Sequence, residues 1–285
     1  MKPAYLTSKI FLDSGDPAET REALRALGFL DGQTTNPSLI AKNPHISELK
    51  ASGALTDALV WDAYRSIAEQ IHETIPNGSV SAEVYADMAT PADEMITKGR
   101  ELAAWFPGIF VKLPITRAGL EAAEVLSGEG ININMTLCFT QEQAAAVHAA
   151  TRNARGQVYV SPFIGRLDDR GEHGIDVVKN IIMMYRAWGS RVQVLAASIR
   201  GLEHLFASMI AGADIITAPI AVLQDWSHQY GIQKDPSLYP FSVSDKKAIP
   251  FRELPDQDWV LYDIDHELTR KGIEKFATDW KSLLQ

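Results

Sequence analysis

Short apolar runs rich in β-branched and aromatic residues recur about every 25 to 35 residues along this chain, each followed by a longer stretch with helical spacing. That cadence leaves few folds open, because strands joined through helical crossovers lie parallel and need helices to cover them. The runs fall at 9–13, 28–34, 80–85, 109–113, 132–139, 157–163, 192–197 and 214–218. Helical patterns occupy 17–27, 55–75, 91–105, 118–127, 141–151, 174–188 and 202–211 between them. Eight such units predict an α/β chain closed into a (β/α)8 TIM barrel, whose usual size of about 250 residues suits a chain of 285. An open doubly wound sheet is the competing architecture. Its glycine-rich dinucleotide turn is missing, since Asp13-Ser14-Gly15-Asp16 is no GxGxxG, and no GxxxxGK[ST] loop occurs either.

From 223 to 261 the cadence breaks, and Pro236, Pro240, Pro250 and Pro255 space out aromatic and charged residues. An irregular appendage is expected there, then a last helix over 269–284. The predicted division is a catalytic barrel at 1–222 and a C-terminal extension at 223–285, packed on the barrel or on a neighbouring subunit. In the last helix Ile273, Phe276, Ala277, Trp280, Leu283 and Leu284 repeat at three- and four-residue spacing. This stripe is surplus to an eight-stranded core, so it is expected on the barrel's outer face or against another subunit of a homo-oligomer.

Bulk properties exclude whole classes of function. A formal charge of −9 and the absence of Lys/Arg clusters argue against a nucleic-acid surface. No run of eighteen apolar residues and no signal-type N-terminus occur, so a cytoplasmic protein without a membrane span is expected. The single cysteine, Cys138, forms no internal disulfide and reads as an inert thiol in a strand. The seven histidines make no HExxH or paired ligand spacing, so neither a metal nor another cofactor is expected.

In a barrel, chemistry gathers where strands end and βα loops begin. Lys112 lies in Ile109-Phe110-Val111-Lys112-Leu113-Pro114, where burial would strip an ammonium group of water and make its amine a better nucleophile toward carbonyls. The plain alternatives are a lysine that snorkels to solvent, or a structural ion pair with Glu83. Other polar residues at strand ends are Asp13, Thr34, Thr35, Asn36, Asn134, Thr136, Ser161, Arg166, Ser198 and Arg200. Individually these have dull readings: Asp13 or Ser14 could cap the following helix, and Thr35 with Asn36 could form a turn before Pro37. Together, a buried lysine, two carboxylates and several hydroxyls suit carbonyl chemistry through a protonated imine.

These segments also carry a resemblance. Phe11-Leu12-Asp13-Ser14-Gly15-Asp16, Thr34-Thr35-Asn36-Pro37-Ser38-Leu39-Ile40, Ser81-Ala82-Glu83-Val84, Val111-Lys112-Leu113-Pro114, Asn134-Met135-Thr136 and Ser161-Pro162-Phe163-Ile164-Gly165-Arg166 resemble, in order, the motifs of the transaldolase family. Gly272-Ile273-Glu274-Lys275-Phe276-Ala277 resembles the family's final helix. The resemblance implies a metal-free class I enzyme of the pentose phosphate pathway acting on sugar phosphates, with Lys112 as the Schiff-base lysine. It implies Asp13 as acid/base at the sugar C4 hydroxyl, and Glu83 with Thr136 around a proton-shuttling water. Asn36 and Asn134 would hold the dihydroxyacetone hydroxyls, with Thr34, Ser161 and Phe163 in the pocket. Arg166, Ser198 and Arg200 would take the distal phosphate.

Related fructose-6-phosphate aldolases typically carry Gln where this chain has Glu83 and Tyr where it has Phe163, so the resemblance favours dihydroxyacetone transfer over its release. A noncatalytic sugar-phosphate-binding barrel is the reading from another class. Phosphate binding alone needs neither Lys112 nor Glu83. Gln33 stands where the family usually has a small apolar residue, and is expected to place a donor and an acceptor beside the pocket.

Overall fold

The computed structural model describes residues 2–51, 53 and 55–284. Eight strands form a closed, all-parallel barrel in which β1 pairs with both β2 and β8. They are β1 Lys9–Asp13, β2 Gly32–Thr34, β3 Ser79–Glu83, β4 Phe110–Pro114, β5 Asn132–Cys138, β6 Val158–Pro162, β7 Gln193–Ala196 and β8 Ile215–Ala218. Twelve α-helices lie among the described residues: α1 Pro17–Leu27, α2 Pro37–Ala41, α3 Pro44–Ala51, α4 Asp57–Thr74, α5 Ala92–Ala103, α6 Arg117–Gly128, α7 Gln141–Ala150, α8 Ile164–Asp168, α9 Ile175–Trp188, α10 Leu202–Ala211, α11 Ile220–Asp225 and α12 Glu267–Leu283. The expected (β/α)8 barrel is therefore the observed one. None of the described helices is long and apolar enough to cross a membrane.

Alternation along each strand decides what enters the barrel. Phe11, Phe110 and Tyr159 share the inward parity of Asp13, Lys112 and Ser161, and lie one layer below them. Phe110 stacks on Tyr159 with centroids 4.1 Å apart, and Phe11 meets the same ring edge-on at 6.3 Å. This aromatic plug closes the barrel beneath the polar layer. It also explains Gly32, where a Cβ would lie 2.6 Å from the Phe11 ring and 2.5 Å from the Ser79 carbonyl oxygen.

Local differences from the sequence expectations have local causes. Strand β2 begins at Gly32 rather than at 28, because Gly28 takes φ 76° as the left-handed cap of α1 and donates to the Leu24 carbonyl at 2.8 Å. Helices α2, α8 and α11 span only five or six residues, too few for periodicity to reveal. The cap of α1 is Asp16, whose Oδ1 accepts from Ala18 N at 2.8 Å, so Asp13 is free of that task.

After α11 the chain forms a strap along the outside of the helical layer. Ser227 donates to the Ala26 carbonyl of α1, Asn180 of α9 to Ile249, Gln141 of α7 to Arg252, and the Trp259 indole to Glu124 of α6. Tyr239 packs edge-on against Phe206 of α10. Helix α12 then crosses the C-terminal mouth of the barrel within the same chain, where an outer face or a neighbouring subunit was expected. The reason is apolar surface left open at that end. Pro37, Val84, Ala86 and Pro114 converge there, and Ile273, Phe276 and Ala277 cover them. Trp280 seats against Trp61 of α4, centroids 4.5 Å apart, while Asp279 accepts from Ser38 on α2.

Candidate active site

The sheet register places Lys112 beside Glu83 on β3 and Asn134 on β5. Lys112 is 4% exposed, with Nζ 3.1 Å from Glu83 Oε2 and donating to the Thr35 carbonyl at 3.2 Å. It does not snorkel to solvent. Burial raises the Glu83 carboxyl above the usual carboxylate range, against the pull of Lys112 and with a smaller push from Asp13. Burial raises Asp13 likewise, against Lys112 and the Thr34 hydroxyl. Two carboxylates thus share one ammonium, an arrangement suited to holding and moving a proton.

The surrounding polar groups are fixed by one another. Thr34 donates to Asp13 Oδ1 at 2.8 Å and contacts the Thr217 hydroxyl at 2.6 Å. Asn134 donates to Ser81 at 3.1 Å and accepts from Ser161 at 2.7 Å, which sets its amide orientation. Thr136 Oγ1 is buried and lacks a hydrogen-bond partner among the described residues, and the buried Glu83 Oε2 has the Lys112 ion pair but no well-aligned hydrogen bond. Asn36 both caps α2, accepting from Leu39 N at 3.0 Å, and lines the mouth cavity. Its two readings are compatible, because the cap uses only the amide oxygen.

A cavity of about 430 Å³ opens above Lys112. Of the expected residues Asp13, Thr34, Asn36, Lys112, Ser161, Phe163, Arg166, Ser198 and Arg200 line it, whereas Glu83, Asn134 and Thr136 do not. Arg166 lies over the Phe163 and Phe276 rings, at 5.4 and 5.7 Å from their centroids. Its burial, and then Arg200, lower its pKa. Arg200 is exposed and pairs with Asp169 at 2.9 Å. The part of the cavity lined by Arg166 and Arg200 is therefore cationic; of the two carboxyl groups only Asp13 lines the cavity, while Glu83 is buried against Lys112. A larger cavity of about 860 Å³ lies at the opposite end of the barrel, where β5, β6 and β7 begin. That end carries fold stability rather than chemistry in barrels of this class.

Several cavity residues were not expected. Ser38 and Lys42 come from the short α2 region, Thr217 from β8, and Lys275 and Phe276 from α12. Tyr64 on α4 braces the Glu83 strand from behind: Glu83 N donates to its hydroxyl at 2.9 Å, and that hydroxyl bonds Thr35 Oγ1 at 2.5 Å. Gln33 corrects the expectation placed on it. It is fully buried on the outward side of β2, accepts from Thr20 of α1 at 2.7 Å and donates to the Ser14 carbonyl at 2.8 Å. It ties α1 to the sheet and does not line the cavity. Cys138 is buried, which pushes its thiol up to about 12 and leaves it unreactive at neutral pH.

Residues 10–285 match the model of the family described as Transaldolase/Fructose-6-phosphate aldolase. The chain belongs to the transaldolase/fructose-6-phosphate aldolase family. Similar proteins include a probable transaldolase of Dehalococcoides mccartyi, 35% identical over 275 residues that cover 96% of this chain and 99% of the relative. A probable transaldolase of Lysinibacillus sphaericus is 38% identical over 272 residues, covering 95% and 97%. One from Jannaschia sp. is 41% identical over 216 residues, covering 76% and 87%. The resemblance carried by the motifs is thereby borne out, and the protein is an enzyme of the transaldolase/aldolase family. Because the family match begins in β1 and runs past α12, the strap and the crossing helix lie within the family region.

Proposed function

We propose that this enzyme is a class I transaldolase that moves a dihydroxyacetone unit from a ketose phosphate, such as sedoheptulose 7-phosphate or fructose 6-phosphate, to an aldose phosphate. The observation that carries the reading is the buried Lys112 amine, 3.1 Å from Glu83, in a cavity that Arg166 and Arg200 also line. The amine adds to the ketose carbonyl, and loss of water gives the protonated imine, with Glu83 and Thr136 holding the water that relays protons. Asp13 takes the C4 hydroxyl proton as the C3–C4 bond breaks, and the bond electrons pass to the iminium as an enamine. The aldose phosphate leaves, a second one enters, and the reverse steps release the new ketose.

Asn36 and Asn134 hold the dihydroxyacetone hydroxyls, supported by Thr34 and Ser161. Arg166, Ser198 and Arg200 hold the phosphate, for which guanidinium forks are suited. Glu83 and Phe163 favour transfer over release of free dihydroxyacetone, the reaction of a fructose-6-phosphate aldolase. A noncatalytic phosphate-binding barrel would gain nothing from burying Lys112 and Glu83 together. The reading includes action in the cytoplasm by a homo-oligomer, checked by fractionation and solution mass.

The test is borohydride reduction in the presence of fructose 6-phosphate, followed by peptide mapping. A dihydroxyacetone-derived mass on the peptide containing Lys112 is expected, with no loss of turnover in EDTA. Label on another residue, or an active Lys112→Ala variant, would overturn the mechanism. Turnover of fructose 6-phosphate with and without erythrose 4-phosphate separates transferase from aldolase.

A further inference from the structure

The loop after β7 is braced by residues that the proposed chemistry does not use. Within it Ser198 holds φ 58°, a left-handed conformation unfavourable for a residue with a Cβ. Behind it, His204 on α10 bridges two segments: Arg200 N donates to Nδ1 at 3.2 Å, and Nε2 lies 3.0 Å from Asp168 Oδ2. Both side chains are 16% exposed. Asp168 ends α8, two residues beyond Arg166, and also accepts from Gly174 N at 2.9 Å and pairs with Lys246 at 3.4 Å. Accepting on both sides, Asp168 makes Nε2 the protonated nitrogen of a neutral His204 and leaves Nδ1 as an acceptor for the Arg200 amide.

The front of the same assembly is tied by backbone. Ile164 N donates to the Ala197 carbonyl and Gly165 N to the Ser198 carbonyl, each at 3.0 Å. A Cβ at Gly165 would sit 2.4 Å from the Ser198 oxygen and 2.5 Å from Arg200 Nε, so only glycine permits this approach. The two arginines of the cationic end thus stand on two segments, joined in front by backbone bonds and behind by the Asp168–His204 link. Neither Asp168 nor His204 lines the mouth cavity.

We infer that His204 and Asp168 are positioning residues for phosphate recognition: they hold the left-handed turn at Ser198 that sets Ser198 and Arg200 against the same anion as Arg166. The inference rests on the proposed reading of that cavity end as the phosphate site. Because the link lies outside the reacting centre, its loss acts on phosphate affinity and not on the imine steps. The groups around His204 on its outer side are Lys246 and Asp245 of the strap, Lys179 of α9, His173 before α9, and Glu203 of α10 itself.

The test uses the full chain and its His204→Ala, His204→Asn and His204→Gln variants. Calorimetric titration with inorganic phosphate is paired with kinetics on fructose 6-phosphate and on unphosphorylated fructose. In His204→Ala, the phosphate Kd and the KM for fructose 6-phosphate are expected to rise about tenfold, with kcat and fructose turnover within about twofold of wild type. Asn places an oxygen where Nδ1 stands and can accept from Arg200 N, so it recovers much of the affinity. Gln reaches only toward Asp168 and recovers little. Unchanged phosphate affinity in all three variants, equal losses on both sugars, or recovery by Gln equal to that by Asn would overturn the inference. If His204→Ala does not fold, the Asn and Gln pair decides by the same comparison. Absence of fructose 6-phosphate turnover in wild type would instead count against the proposed function, and the calorimetry would still decide the role of His204.

Discussion

Glu83 and Lys112 stand opposite each other in the β3–β4 register, so pleating sends both side chains into the barrel and the sheet itself sets their 3.1 Å contact. A buried pair held this way is weak evidence for stability, since desolvation offsets most of the attraction. Its value lies in keeping an amine, a carboxyl group and an exchangeable proton at one point.

Replacing Glu83 by Gln retains the shape and removes the titrating group. Glu83→Gln is expected to lower the rate of sugar transfer by about 100-fold, within the range for a general acid or base, and to raise the share of free dihydroxyacetone. Product ratios with and without an aldose phosphate acceptor check this. An unchanged ratio would remove the basis for preferring transferase over aldolase.

Burial keeps the Asp13 carboxyl above its ordinary range despite Lys112 and Thr34. With a raised folded-state pKa the native chain binds the proton more readily than the unfolded one. The group's contribution is therefore complete below the unfolded value, about 3.9, and is lost as pH rises through the folded value. Asp13→Asn, which keeps an acceptor for Thr34, is expected to melt above wild type near neutral pH. The advantage disappears as the buffer is taken below about pH 4, while kcat falls by about 100-fold or more. Melting curves across pH that run parallel for the two proteins would contradict the assignment.

Arg166, which lies over the Phe163 and Phe276 rings, is expected to carry more phosphate affinity than the exposed Arg200, which already has Asp169 as a partner. Arg166→Ala is expected to lower kcat/KM for fructose 6-phosphate by about 10- to 100-fold and to leave unphosphorylated fructose nearly unaffected. Equal losses on the two sugars would reassign Arg166 to maintenance of the fold.

Gln33→Ala removes both ends of a buried bridge, leaving the Thr20 hydroxyl and the Ser14 carbonyl without it. A loss of about 1–3 kcal/mol in unfolding free energy is expected, with kinetic constants and substrate preference unchanged. A shift in donor preference would return Gln33 to the pocket.

Truncation after residue 266 removes α12, and with it Phe276 and Lys275 from the cavity and Trp280 from Trp61. Burial of Trp280, Phe276, Ile273 and Leu283 contributes about 1.5–3 kcal/mol per side chain, so a lower melting temperature and lost turnover are both expected. Calorimetry with an activity assay checks this, and an unaltered truncated enzyme would make the helix dispensable.

How much was legible depended on how local the cause was. The eight strands could be read because each carries its own apolar run, and Asp13, Lys112, Ser161 and Arg166 followed because strand ends converge in any closed barrel. Thr217, at the penultimate position of β8, obeys that same rule. Gln33 did have a signal, since strand parity sends it outward once its neighbour Thr34 points in. Lys275 and Phe276 did not. Their place in the cavity depends on where α12 docks, which apolar spacing cannot specify because a stripe says that it must be covered and not by what. The brace at His204 was equally hidden, since it depends on a five-residue helix and a left-handed turn.

Ser38 and Asp279, which join across the mouth, are 241 positions apart. Every strand of the barrel lies in the chain before the strap that brings α12 back. Roofing the pocket therefore requires only that the last part of the chain be laid over a completed sheet. No segment has to pass beneath another, so the covering of a buried amine is reached without a knot.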